Sequence, residues 1–207
     1  MNENLSDNKP SLLSNPDSSK KSGHEKLSLS IKIASKKDLK DYRDIRLLAS
    51  SSDDASMLGF SKDNYAWEEN REEDEWQEDL SRHDMFAVLA RSDSEVVGMG
   101  HAVQESAQVW KVTYDYVQES FRRMGIQKKM LAERLKEIKK RGGLKVRGVV
   151  LTQNIGSIST LKFFGFTGFE EVSTKPMRVG KELKPAYEVE LDLTSPEVIK
   201  KIDEILE

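Results

Sequence analysis

The chain has 207 residues, 37% hydrophobic and 33% charged, with a formal net charge of −3. That length suits one domain with a real core, and the acidic balance argues against bulk electrostatic binding of nucleic acid. There is no cysteine, which excludes disulfides, thiolate catalysis and cysteine-based zinc sites, and the three histidines (His24, His83, His101) are too scattered to suggest a metal. No apolar run approaches the roughly 20 residues that span a bilayer, so a membrane partner is not expected. The N-terminus has no signal-peptide pattern, and the expected location is cytoplasmic.

Residues 1–27 are rich in Ser, Asn, Lys and Asp and poor in apolar side chains, which reads as a disordered tail. Leu27 to Ala34 alternates apolar and polar residues with period two, as a half-buried strand does. Ser35 is a plausible N-cap for a helix from Lys36 to about Ser50, with Leu39, Tyr42, Ile45, Leu47 and Leu48 at helical spacing. Residues 51–62 read as a loop. A single acidic helix is expected from Asp63 to Ser81, with Trp76 and Leu80 on its one apolar face. Met85–Ala90 and Val96–Val103 form a hairpin about a turn at Ser92-Asp93-Ser94, and Val109–Val117 is the next strand. A helix opens at Gly125, carries Ile126, Met130, Leu131, Leu135 and Ile138, and stops at Gly142-Gly143. Val146–Thr152 reads as a central strand, and Ile155 to Phe164 as a short helix. Phe169–Ser173 and Ala186–Leu193 read as strands that close the sheet. Ser195-Pro196-Glu197 opens a last helix, with proline at its first position. The order describes an α/β protein with a sheet of mixed direction.

The stretch Val117 to Gln127, V-Q-E-S-F-R-R-M-G-I-Q, carries the clearest chemistry. A strand feeds a basic turn containing Gly125, and a helix begins at once. The first amides of a helix have no intrahelical partner and point out of its N-terminus, where the helix dipole adds partial positive charge. Arg122 and Arg123 add full charges. The pattern holds a phosphate.

In its setting this stretch resembles the cofactor motif of the Gcn5-related N-acetyltransferases (GNAT family), approximately V-x-P-x-[YF]-R-G-x-G-[IV]-[GA]. Val117, Phe121, Arg122, Gly125 and Ile126 match it, while Glu119, Arg123 and Gln127 replace a proline, a glycine and a small residue. F-A-V-L-A-R-S-D-S-E-V-V-G-M-G resembles the family's hairpin, and Y-R-D-I-R-L-L-A followed by the acidic stretch resembles its first helices. L-T-Q-N-I-G-S-I-S-T-L-K-F-F-G-F resembles its second cofactor motif through Asn154, Ser157 and Gly165-Phe166. Two registers are open there. They put Leu161 or Phe164 where the family often has a tyrosine that protonates the departing thiolate, and neither residue has a hydroxyl.

The resemblance implies a mixed, mostly antiparallel sheet flanked by helices over residues 28–193, followed by a C-terminal helix over 194–207. It implies acyl transfer from acetyl-CoA to an amine, with an acyl-CoA and an amine-bearing small molecule or protein as partners. A homodimer is admitted, and no metal is expected. The implied cofactor site is Tyr116, Val117, Arg122, Arg123, Met124, Gly125, Ile126, Gln127, Lys128 and Asn154. Gly125 would admit phosphate close to the backbone, Gln127 would offer its amide with its side chain turned away, and Arg123 would take a glycine's place at negative φ. Tyr116 and Asp115 are the catalytic candidates, with Tyr114 and His101 beside them. Strand alternation puts Tyr114 and Tyr116 on one face and Asp115 on the other. The acidic helix is expected to border the acceptor side and to favour a cationic acceptor. A non-catalytic module that binds acyl-CoA or a partner protein is the second reading.

Overall fold

The computed structural model describes residues 28–207, so the expected tail over 1–27 lies outside the described residues. Six strands form one sheet: β1 (Leu29–Ile33), β2 (Met85–Ser92), β3 (Glu95–Ser106), β4 (Val109–Val117), β5 (Lys145–Leu151) and β8 (Ala186–Asp192). They lie side by side in that order, and every neighbouring pair is antiparallel except β4 and β5. The mixed, mostly antiparallel sheet expected from the sequence is therefore present.

The sheet has two apolar faces, and β2 shows both. Phe86, Val88 and Ala90 join the core under α5 (Ile126–Lys140) and α7 (Pro196–Leu206). Ala87 and Leu89 join the core under α1 (Leu39–Ser51), with Tyr42, Ile45 and Trp76. A strand buried on both sides has no polar face to alternate, which is why Met85–Ala90 reads as a continuous apolar run. The opposite case is β3, where Gly98, Gly100 and Ala102 leave the α5 side nearly bare. A Cβ on Gly100 would stand 2.8 Å from Arg134 Cζ, and one on Gly98 would stand 3.2 Å from the Met130 sulfur. The small residues let α5 press onto the strand.

Three expectations need correction. The segment 51–62 is not all loop, because Ala55–Leu58 forms a short helix (α2) ended by Gly59 at φ +92°. The acidic stretch is two helices, α3 (Lys62–Glu69) and α4 (Glu73–Asp79). Asn70 ends the first by donating to the Ala66 carbonyl, and a Glu72/Glu75 capping box starts the second. Phe169–Ser173 is not a strand. Gly168, at φ +98°, turns the chain after a lone bridge from Thr167 to Glu190, and the apolar Phe169 packs on Tyr187 instead. The strands in that region are β6 (Met177–Val179) and β7 (Glu182–Lys184), paired as a separate hairpin. After α6 (Ile155–Phe164), α7 packs on α5 and places Val198 and Ile202 in the larger core.

Candidate active site

The site is made by a fault in the sheet. In β3 and β4, Met99 pairs with Tyr116 but His101 pairs with Thr113, so β4 carries one extra residue across that step. The bulge falls at Tyr114, whose φ is +56°. Left-handed backbone costs a side-chain-bearing residue about 1–2 kcal/mol, so packing must hold it. The Tyr114 ring lies 5.0 Å from His101 and 5.7 Å from Phe60, with the Arg46 guanidinium 4.4 Å above it. The bulge also switches the faces of β4. Trp110 and Val112 point to the α5 core, yet past the bulge it is Tyr116 that joins the α1 core, while Asp115 reaches the α5 residue Arg134. Tyr114 and Tyr116 do share a face, as expected, but it is the face opposite to Trp110.

Beyond the bulge β4 and β5 separate. They pair only from Val109–Val112 to Lys145–Gly148, so Thr113–Val117 have lost β5 as a neighbour. A cleft of about 540 Å³ opens on one side, lined by α2, the end of β4, the turn before α5 and the start of α6. A smaller cavity of about 210 Å³ lies on the other, between β4, β5, Phe60, Asn64 and the β6–β7 hairpin. Leu58, Asp115, Asn154 and Ser157 line both.

At the head of the large cleft, Gly125 takes φ +79° and N-caps α5. The amides of Arg123 through Lys128 make no hydrogen bond to any described residue. That is an anion cradle of oriented N–H groups at the positive end of a helix dipole. The side chains around it do not all serve it. Arg122 donates from Nε to the Val117 carbonyl at 2.9 Å and pairs with Asp54, so its charge is already partnered. Arg123 stands at φ +64°, contrary to the negative φ expected of it, and this explains why a glycine would be the easier residue there. Gln127 does not turn its side chain away. It donates to Ser157 Oγ at 2.8 Å and accepts from Thr160 Oγ1 at 3.4 Å, tying α5 to α6. Lys128 lies over the Phe163 ring and lines the cleft, while the Met124 side chain is exposed and does not. Ile126 turns its side chain into the core. Asn154 caps α6 by accepting from the Ser157 amide at 3.1 Å, at the junction of the two cavities.

The family model for acetyltransferases of the GNAT family matches residues 52–166. The chain belongs to that family. No match was found among curated proteins. Among solved structures, the ribosomal-protein-alanine N-acetyltransferase of Brucella melitensis is similar at 18% identity and a TM-score of 0.64, over 79% of this chain and 99% of the other. The PaiA N-acetyltransferase of Thermoplasma acidophilum, solved with coenzyme A, gives 19% and 0.62, over 80% and 99%. YncA of Salmonella typhimurium, solved with its cofactor acetyl-CoA, gives 16% and 0.63, over 80% and 94%. At these identities the likeness is one of fold.

Of the side chains singled out for chemistry in this GNAT chain, Tyr116 is tightly packed and Asp115 is partly open. Tyr116 is 4% exposed, and burial raises its phenol above the ordinary range, against a smaller opposing pull from Arg122. It stays protonated near neutral pH and can donate a hydrogen bond, not act as a base. The Asp115 carboxylate is held by both terminal nitrogens of Arg134, a guanidinium that is 0% exposed and also donates to the His101 carbonyl at 3.0 Å. Burial raises the Asp115 carboxyl and Arg134 pulls it down. His101, 1% exposed and stacked on Tyr42 and Tyr114, is kept neutral because burial lowers its imidazole, with Arg46 and Arg134 adding to the effect. Leu161 lines the smaller cavity, whereas Phe164 is fully buried in the core. The acids of α4 line neither cavity, and among the described residues of α3 and α4 only Asn64 does. Sequence reasoning missed Asp54, Phe60, Asn64 and Arg178. The S-D-D-A-S-M-L-G run that ends at Gly59 was the available signal for α2.

Proposed function

We propose that the protein transfers an acetyl group from acetyl-CoA to a primary amine. The observation that carries this is the run of unbonded amides from Arg123 to Lys128, opening onto a cleft that meets a second cavity at the β4–β5 splay. The residues present fit a pyrophosphate there, and the edge of β4 past Thr113 offers backbone groups to an extended chain as a neighbouring strand would. The thioester is then presented at Leu58, Asp115, Asn154 and Ser157, where an amine from the smaller cavity reaches it. A C–N bond forms, the C–S bond breaks with coenzyme A leaving as its thiolate, and the amine's proton passes to a base or water, from which the thiolate is protonated. Asp115 is the carboxylate shared by both cavities among the described residues, and Tyr116 remains a protonated donor. We read residues 28–193 as the transferase domain and 194–207 as its closing helix. Dependence on an acyl-CoA supports a cytoplasmic location.

The hydroxyl-free Leu161 in the cavity wall favours a second reading, a module that binds acyl-CoA without turnover. Acetyl-CoA is expected to raise the melting temperature of the protein, since a ligand bound only by the native state stabilises it. Gly125→Glu puts a carboxylate in the cradle and should abolish that shift, while Gly125→Ala, which shares the backbone strain without the charge, should keep part of it. No shift at millimolar cofactor would sink both readings. A thermal shift without thiol release from any amine would leave the module.

A further inference from the structure

The smaller cavity has a polarity of its own. Among the described residues its titratable lining groups are Tyr114, Asp115 and Arg178. Asp115 sits at the inner end, where the cavity meets the large cleft, and its side chain keeps 22% of its surface open while Arg134 holds it from behind. Arg178 is exposed on β6, and no ion pair among the described residues involves it. The walls between are neutral: Asn64, Thr113, Phe60 and the backbone of β5. The cavity therefore has a carboxylate inside, shared with Arg134, and on the hairpin a guanidinium with no ion pair among the described residues.

The hairpin that carries Arg178 is pinned. The Met177 methyl fills the space over Gly59, where an added Cβ would come within 2.7 Å of it. At the tip, a Cβ on Gly180 would stand 3.2 Å from Asp63 Oδ2, and Lys184 Nζ reaches the Ser56 carbonyl at 3.5 Å. Arg178 is thus carried on a two-stranded roof tied to α2 and α3. The roof leaves a volume of about 210 Å³, below the roughly 300 Å³ at which drug-sized ligand sites begin.

We propose that the acceptor is a small zwitterion, an amine that carries its own carboxylate, as an amino acid does. This rests on the acetyl-transfer reading above. The ammonium end meets the part of the Asp115 carboxylate that Arg134 leaves open, loses its proton there to water or to that carboxylate, and attacks the thioester carbon at the junction, with coenzyme A leaving as its thiolate. The carboxylate end takes the Arg178 guanidinium, a fork that matches carboxylate geometry. A polyamine would set a second cation against Arg178, and no acid of α4 is among the residues that line the cavity. This proposal differs from the cationic acceptor expected from the acidic stretch.

The test uses the full chain with acetyl-CoA and three amine sets: free amino acids, the same amino acids as carboxamides, and di- and polyamines. Thiol release is expected from some free amino acids, with their carboxamides at least about tenfold poorer in kcat/KM, the loss of one charged hydrogen-bonded contact. Arg178→Ala should raise KM for the amino acid about tenfold with little change in kcat, leave the carboxamide unchanged, and leave the acetyl-CoA thermal shift intact. Preference for polyamines or for peptide N-termini, or equal damage by Arg178→Ala to acid and carboxamide, overturns the proposal. If no amine is turned over, calorimetric titration of the same three sets in the presence of coenzyme A decides it. Binding of the free amino acids alone keeps the zwitterion slot and removes the transfer reading, and no binding removes the slot.

Discussion

Truncating Asp115 separates a structural carboxylate from a catalytic one. Its partner Arg134 is 0% exposed and directs both terminal nitrogens at it, keeping the His101 carbonyl at 3.0 Å and the Met130 carbonyl at 3.4 Å as its other acceptors. Asp115→Ala leaves a buried guanidinium with its charge uncompensated, which costs about 3–5 kcal/mol in comparable cases. Asp115 keeps 22% of its side-chain surface, so water can enter the gap and the lower end, about 3 kcal/mol, applies. For a chain of this size that lowers the melting temperature by about 6–12 °C. Chemical denaturation followed by circular dichroism, at physiological salt, reads it. Adding Arg134→Met should restore much of the loss, because an apolar side chain leaves no charge to compensate. A loss below about 1 kcal/mol for Asp115→Ala, or no recovery in the double variant, would refute the view that this carboxylate exists first to neutralise Arg134.

Arg123→Gly should raise stability by roughly 0.5–1 kcal/mol, because relief of left-handed strain of about 1–2 kcal/mol outweighs glycine's extra unfolded-state entropy. A lower melting temperature would show that the side chain holds the turn through contacts that outweigh its φ of +64°. His101 makes the protein acid-sensitive. In the unfolded chain its imidazole takes a proton near pH 6.5, whereas in the folded protein burial lowers its pKa well below that. The unfolded state then binds the extra proton, so stability is full above about pH 6.5 and falls as the pH drops, by up to about 1.4 kcal/mol per unit. His101→Phe keeps the stack on Tyr42 and Tyr114 and should flatten the decline between about pH 6.5 and 5. Matching slopes in the two proteins would remove His101 as its source.

The sequence by itself determined the layers, the sheet's mixed direction and the strand–turn–helix whose first amides are left without partners among the described residues. Those depend on short-range pattern: the apolar run of β2, the strand–turn–helix at Val117–Gln127 and the glycines that stop helices. Local pattern also misled where two readings share one composition. The acidic stretch is polar whether it forms one helix or two, and Phe169 and Val172 are spaced as readily for a strand as for a loop in which Phe169 packs on Tyr187. Only the tertiary structure decided what the named side chains do. Whether Asp115 is a base or a counter-ion depends on Arg134, which is 19 residues away and on another element. Whether Arg122 grips phosphate or Asp54 depends on a partner 68 residues earlier. The bulge at Tyr114, which opens the site and sets which face each β4 residue takes, is a matter of register between strands, and register is fixed by what both faces of the sheet must bury.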